Sequence, residues 1–334
     1  MIRSGGLTRR QVTQSFLGGA ALSLAGCTRS IGERPLRAAD THPFDYPTVA
    51  AVAHMGQLLD DRSGGRLRIR SYPGGQLGEE KDTLEITIFG GLDINRVNLA
   101  PLNPIAPETI VPNLPFLFRS TEHMHRAMDG PPGQRILASL EPHGLVGLCF
   151  YDSGARSFYS TRRPIRTPED LRGLKIRVQN SDVFVAMVEA LGADATPMSY
   201  GEVYQSLIQG VVSGAENNWP AYEDSRHHEA AKFYSLTRHV MAPEVLVVSA
   251  RTWNKLPEPD RALLRAAARE SVPVMRKLWE RREAEARALL AREGVQVNEI
   301  TDRRAFEHAV QPVWEQFVRT PEQRAIVNQI RALA

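Results

Sequence analysis

Arginine and amide side chains at the ends of predicted strands carry most of the recognition chemistry in this chain. Arg177 lies in the run Leu174-Lys175-Ile176-Arg177-Val178-Gln179, whose apolar/polar alternation is that of a half-buried strand. Further on, Val211-Val-Ser-Gly-Ala-Glu-Asn217-Asn218-Trp219-Pro220 brings two amides and an indole to the end of a second strand. A guanidinium presents a planar fork of N–H donors that matches a carboxylate. A carboxamide both donates and accepts, which suits hydroxyls. Trp219 could stack on the C–H face of a sugar ring, and beside Pro220 it fits a core aromatic equally well. On an earlier strand, within Gly91–Asn98, Arg96 and Asn98 share one face. An arginine on a buried strand needs a partner, so both are candidates to reach a cleft.

Catalytic chemistry is less visible. The nine histidines include no His-Glu-x-x-His spacing; His123 and His125 fall on different faces of a helix, and His227 and His228 are adjacent. No Gly-x-Ser-x-Gly elbow is present, and no Gly-rich phosphate loop follows a strand. Neither a metal nor a cofactor is implied. A carboxylate pair acting on an acidic sugar is the enzymatic alternative to pure recognition.

These residues need elements to hold them. After the Arg177 strand, Asn180 or Ser181 can cap a helix whose apolar face is Phe184, Met187, Val188 and Leu191, with Gly192 at its C-terminal end. A second helix fits Gly201–Gln209, and the strand into Asn217 follows. Such a strand-helix-helix-strand unit puts Arg177 and the asparagines at the carboxyl ends of strands, where open α/β sheets bind ligands. Upstream, the pattern predicts a helix over Pro47–Leu59, a strand over Leu67–Tyr72, and a helix beginning near Glu79-Glu80-Lys81. Leu145–Tyr151 is a continuous apolar run of the kind found in buried parallel strands and contains Cys149, read as core. Asp152-Ser-Gly154-Ala-Arg156 then suits a hinge, with a return at His239–Pro243 before a strand over Val245–Ala250. From Pro257 to about Arg292 the pattern is helical; at about 1.5 Å per residue it is about 54 Å long, more than one domain's breadth. Pro273 lies inside it. Val295–Val297 is a short strand, and Asp302–Leu333 is largely helical.

Gly173-Leu-Lys-Ile-Arg177 followed by Gly214-Ala-Glu-Asn217 resembles the substrate-binding proteins of TRAP (tripartite ATP-independent periplasmic) transporters. Tyr72-Pro-Gly-Gly-Gln-Leu-Gly78, Leu114-Pro-Phe-Leu-Phe118 and Ile165-Arg-Thr-Pro-Glu-Asp-Leu171 add to the resemblance, which covers about residues 36 to 334. It implies a two-domain α/β periplasmic binding protein fold with a hinge and a long domain-spanning helix. The expected division is 41–153 plus 243–275 for one domain and 154–242 plus 276–334 for the other. Arg177 would clamp the substrate carboxylate, and Arg156 matches a second arginine lining the site. The loop Asp40–Tyr46 would face the ligand, making His42 a candidate, with capping or solvation as its other role. Glu80 would lie near the pocket, although an acid at a helix start also suits the helix dipole. The Glu216-Asn217-Asn218-Trp219-Pro220 version resembles the hexuronate-binding branch, for glucuronate or galacturonate; a C4-dicarboxylate or another organic acid is the alternative. Delivery to a membrane permease pair driven by an ion gradient is implied as well.

Residues 1–26 carry Arg3, Arg9 and Arg10, no acid, and an apolar stretch too short to span a bilayer, the pattern of an export signal. Leu24-Ala-Gly-Cys27 resembles a lipobox, which would make acylated Cys27 the mature N-terminus, with 27–40 as tether. The expected location is the periplasm, with membrane attachment only through that lipid. Removing the leader's three arginines brings the 41 basic and 38 acidic residues into balance. No basic stripe with interleaved aromatics supports nucleic-acid binding.

Overall fold

The computed structural model describes residues 34–334; the expected leader, Cys27 and residues 28–33 of the tether lie outside the described residues. Among the described residues, eleven strands form two sheets. The first has the order β2-β1-β3-β10-β4, from β1 (Leu36–Ala39), β2 (Ile69–Tyr72), β3 (Ile94–Asn98), β4 (Leu145–Tyr151) and β10 (Glu244–Ser249). The second has the order β11-β9-β5-β8-β6-β7, from β5 (Arg156–Ser160), β6 (Lys175–Val178), β7 (Asp194–Pro197), β8 (Gly214–Asn217), β9 (Phe233–Val240) and β11 (Gln296–Glu299).

The tether was expected to run through residue 40. Instead Leu36–Ala39 pairs in parallel with both β2 and β3, with Leu36, Ala38 and Ala39 buried. Four residues are too few to show a period of two, which is why the strand reads as linker. A second correction concerns Leu145–Tyr151. It is buried along its whole length, but its partner β10 runs antiparallel. Burial on both faces, not strand direction, produces the continuous apolar run.

Before the last helix, the chain passes between the sheets at three places. β4 ends at Tyr151 and β5 begins at Arg156; Gly154 between them has φ +58°, a conformation open to glycine at little cost. β9 ends at Val240 and β10 begins at Glu244. The third passage is the helix Glu258–Arg292, with Pro273 inside. Leu264, Ala268, Met275 and Trp279 pack into the first sheet's core, while Ala286 and Leu290 pack with Tyr159, Tyr222 and Tyr234 behind the second. The fold is thus a two-domain α/β clamp with a helix common to both halves.

Residues 276–334 were expected to follow the second domain throughout. The last helix, Pro321–Ala332, departs from this: Ile326, Val327 and Ile330 join Leu137, Met124 and Val247 in a core on the first sheet. Its apolar stripe, buried against whatever surface the preceding turn offers, says nothing about which domain supplies that surface. Among the described residues no helix is long and apolar enough to cross a membrane.

Candidate functional site

The carboxyl ends of β1, β3, β6 and β8 converge on a small void of about 40 Å³ between the two sheets, lined mostly by polar residues. Arg177 enters it from β6, where Ile176, Arg177 and Val178 are all buried. β6 is held between β7 and β8 by parallel pairing, Arg177 lying beside Thr196 and Ala215. β7 itself, Asp194–Pro197, was absent from the sequence-based reading; its Asp and Pro carry little strand signal. Arg177 is 3% exposed. Nε and Nη2 donate to Met198 O at 3.1 and 2.8 Å. No carboxylate pairs with it among the described residues, and Nη1 makes no hydrogen bond. Burial lowers its pKa from the usual arginine value, opposed by Tyr159 and Glu216. This is a buried cation prepared for an anion that the protein does not supply.

Arg156 is built differently. Its guanidinium donates to Glu216 Oε2 at 2.5 Å, to Glu216 Oε1 and the Glu216 carbonyl at 2.7 and 2.8 Å, and to Asn217 Oδ1 at 2.8 Å. With its carboxamide turned so that oxygen faces the guanidinium, Gln179 accepts from Arg156 Nη1 and Nη2 at 3.1 and 3.3 Å. Burial works against the charge of Arg156, but the attraction of Glu216 outweighs it and its pKa is raised. Burial likewise pushes the Glu216 carboxyl up, yet Arg156 and His239 hold it down at about 2. Arg156 lines the void, but its fork is occupied; it fixes Asn217 by that amide's oxygen. Asn217 Oδ1 also accepts from the Asn218 N–H at 2.9 Å, leaving its NH₂ for the void.

The second asparagine, expected to serve ligand hydroxyls, has a structural duty. Asn218 is the N-cap of the helix Trp219–Asp224, with Oδ1 accepting from Ala221 N at 2.8 Å, and its Nδ2 donates to Ser153 Oγ at 3.1 Å. It borders the void and ties the second domain to the hinge segment. Trp219 lies outside the lining. It stacks on Tyr234 at 4.1 Å between centroids with Arg287 on its ring, inside the aromatic core. The sugar-platform expectation is corrected, because the helix begun at Asn218 turns the indole away from the strand ends.

The first domain supplies the opposite wall. Arg96 was expected to reach the cleft, yet it is 1% exposed and does not line the void. It pairs with Asp40 through Nε at 3.0 Å and through Nη2, and with Glu80 through Nη1 at 2.7 Å. Burial opposes its charge, but Asp40, Glu244 and Glu80 raise its pKa well above the usual value. These partners come from elements distant in sequence, so the need for a partner was legible but its identity was not. Glu80 lines the void while accepting from Arg96 and from Asn98 Nδ2 at 3.0 Å. Asn98 borders the void with Oδ1 buried and unpartnered. His42 stacks on Tyr46 at 3.9 Å, has Nδ1 near Asp40 Oδ1 at 3.1 Å, and borders the void with Nε2 free of hydrogen bonds.

Several lining residues went unrecognised: Ser153, Gln179, Tyr200, Lys81 and Glu244. Gln179 had a signal, since it stands two positions after Arg177 on the same strand face. Glu244 is the first residue of β10, directly after the return crossing, a position defined only once the two sheets are assembled. Glu79 crosses the cleft mouth, its Oε1 lying 2.6 Å from where a Cβ would stand on Gly201.

The chain matches the model of the bacterial extracellular solute-binding proteins, family 7, over residues 38–320. A TRAP periplasmic solute-binding protein from Bradyrhizobium sp. BTAi1, solved in complex with α/β-D-galacturonate, is 52% identical, covers 90% of this chain and 100% of its own, and superposes with a TM-score of 0.88. One from Xanthobacter autotrophicus Py2 with bound β-D-galacturonate is 49% identical, covering 89% and 99%, with a TM-score of 0.87. One from Chromohalobacter salexigens DSM 3043 with bound D-glucuronate is 41% identical, covering 90% and 100%, with a TM-score of 0.87.

Proposed function

Since the chain belongs to family 7 of the bacterial extracellular solute-binding proteins, we propose that it is a receptor for a hexuronate, D-galacturonate or D-glucuronate, which it delivers to a TRAP-type membrane permease. It binds and releases its solute and is not an enzyme. The observation that carries the ligand class is Arg177: a buried guanidinium, without a carboxylate partner among the described residues, on the wall of an interdomain void. A ligand carboxylate at Nη1 would supply the missing charge in a dry setting, where a charge-assisted bond is strong. Asn217 Nδ2, held by Arg156, adds a donor beside it. Identity of 52% and 49% to galacturonate-bound proteins over nearly the whole described chain supports the sugar acid in particular.

As a family 7 protein it works outside the cytoplasm. The finer placement we propose is periplasmic, tethered by acylated Cys27; intact mass of the exported protein reads this directly, and an unmodified N-terminus downstream of Cys27 would remove the lipid while leaving export. The ligand is tested by calorimetric titration with D-galacturonate, D-glucuronate, galactonate and succinate, with mass analysis of the solute recovered afterwards. Saturable binding of a uronate, recovered unchanged, is the expected result. Preference for succinate, or a chemically altered uronate, would overturn the reading.

A further inference from the structure

Building on the uronate-receptor reading, we propose that Glu244 and Asn98 form an acceptor pole on the first-domain wall that recognises ligand hydroxyls and rejects a second carboxylate. Glu244 stands in register between Asn98 of β3 and Tyr151 of β4. It is 1% exposed, borders the void, and its Oε2 has no hydrogen-bond partner. The nearest cation is Arg96, whose Nη1 lies 3.4 Å from Oε2 and donates instead to Glu80, while its Nε and Nη2 go to Asp40 and Thr41. Asn98 has the same character. Its Nδ2 donates to both oxygens of Glu80, at 3.0 and 3.3 Å; because a carboxylate only accepts, the amide orientation is fixed and Oδ1 is left buried and unpartnered.

Two buried acceptors without donors represent an unmet desolvation cost. Hydroxyl groups are the ligand feature that meets it, since each brings an O–H. The opposite wall has the reverse polarity, with Arg177 Nη1 and Asn217 Nδ2 as donors. A ligand is therefore oriented with its carboxylate on the second domain and its hydroxyls on the first. A carboxylate at both ends would set its second anion against Glu244 and Glu80, beside an arginine that already faces three carboxyl groups. Lys81 also borders the void, but it is exposed and keeps its water. Burial already raises the Glu244 pKa, opposed by Arg96 and His42, with Asp40 and Glu80 adding to the push; another anion there would add to it again. The pole thus separates sugar acids with one carboxylate from dicarboxylates of similar length.

The test compares D-galacturonate with D-galactarate, which carries a carboxylate at both ends, on wild type and Glu244→Gln, alongside melting curves. Wild type is expected to bind galactarate at least fifty-fold more weakly than galacturonate. Glu244→Gln removes the charge and shifts the two ligands in opposite senses: galacturonate at least fivefold weaker, galactarate at least fivefold tighter. A merely structural Glu244 would move both the same way. Shifts of the same sign, no shift, or wild-type binding of galactarate within fivefold of galacturonate would overturn the proposal. If Glu244→Gln does not fold, the wild-type ratio alone decides by the same threshold. Wild type that binds no uronate would instead overturn the receptor's assigned ligand.

Discussion

Two arginines that look alike in sequence, Arg156 and Arg177, occupy opposite electrostatic situations. Arg156 is neutralised in place by Glu216; Arg177 is not neutralised by the protein among the described residues. The first should therefore be a stability residue and the second a binding residue. Arg156→Ala strands Glu216 in the core, and breaking a buried pair in this way costs about 3–5 kcal/mol, to be read from denaturant melts of the unliganded protein. The pair also has a pH signature. Glu216's folded pKa, about 2, lies below its ordinary value of 4.5, so its contribution is complete above the ordinary value and is lost as pH falls from there toward 2. Wild type should lose stability across that window, and Arg156→Ala should lose less. Parallel pH profiles for the two proteins would contradict the assignment. Sequence spacing pointed to Arg177 because its strand is alternating. It could not separate the two arginines, because Glu216 reaches Arg156 across strands β5 and β8.

At the scale of elements, the crossing between β4 and β5 is the most constrained link. Gly154 combines φ +58° with a close approach: an added Cβ would stand 3.1 Å from Trp279 Nε1 and Cζ2 on the long helix. A β-carbon in the left-handed region costs about 1–2 kcal/mol, and the helix backbone behind Trp279 limits how far the indole can yield. Gly154→Ala should lower stability by at least that amount, measured by denaturant melts; an unchanged midpoint would show that the crossing is pliable. This hinge was legible as a glycine following a buried strand. The helix Glu258–Arg292 was legible too, because thirty-five residues exceed what one domain spans. Short elements were not. β1 and β7 have four residues each and owe their strand character to the neighbours they pair with. The same holds for the last helix, whose docking on the first sheet depends on a surface formed by residues 107–140.

Taken whole, the molecule is a clamp with opposed polarities: donors at Arg177 and Asn217 on one half, acceptors at Asn98 and Glu244 on the other, and several passages of chain joining them. The residues lining the void come from the ends of β1 and β3, the helix start at Glu79–Lys81 and β10 on one side, and from β5, β6, β8 and the turn after β7 on the other, so both halves build it. Arg96 and Trp219 could not be placed from sequence for different reasons: the partners of Arg96 come from elements distant in sequence, and the helix begun at Asn218 turns Trp219 away from the void. The central claim is that Arg177 holds the ligand carboxylate. Calorimetric titration of Arg177→Ala and Arg177→Lys with D-galacturonate and D-glucuronate, beside their unliganded melting curves, tests it most directly. Truncation to Ala leaves a buried carboxylate unpaired and should cost roughly 2–5 kcal/mol of binding, about 30-fold to several-thousand-fold in affinity. Arg177→Lys keeps the charge without the planar fork and should also bind far more weakly. Unliganded stability should hold or rise in both, since each relieves or reshapes an uncompensated buried cation. Wild-type affinity in Arg177→Ala, together with a lowered melting temperature, would contradict the claim and make Arg177 a structural residue.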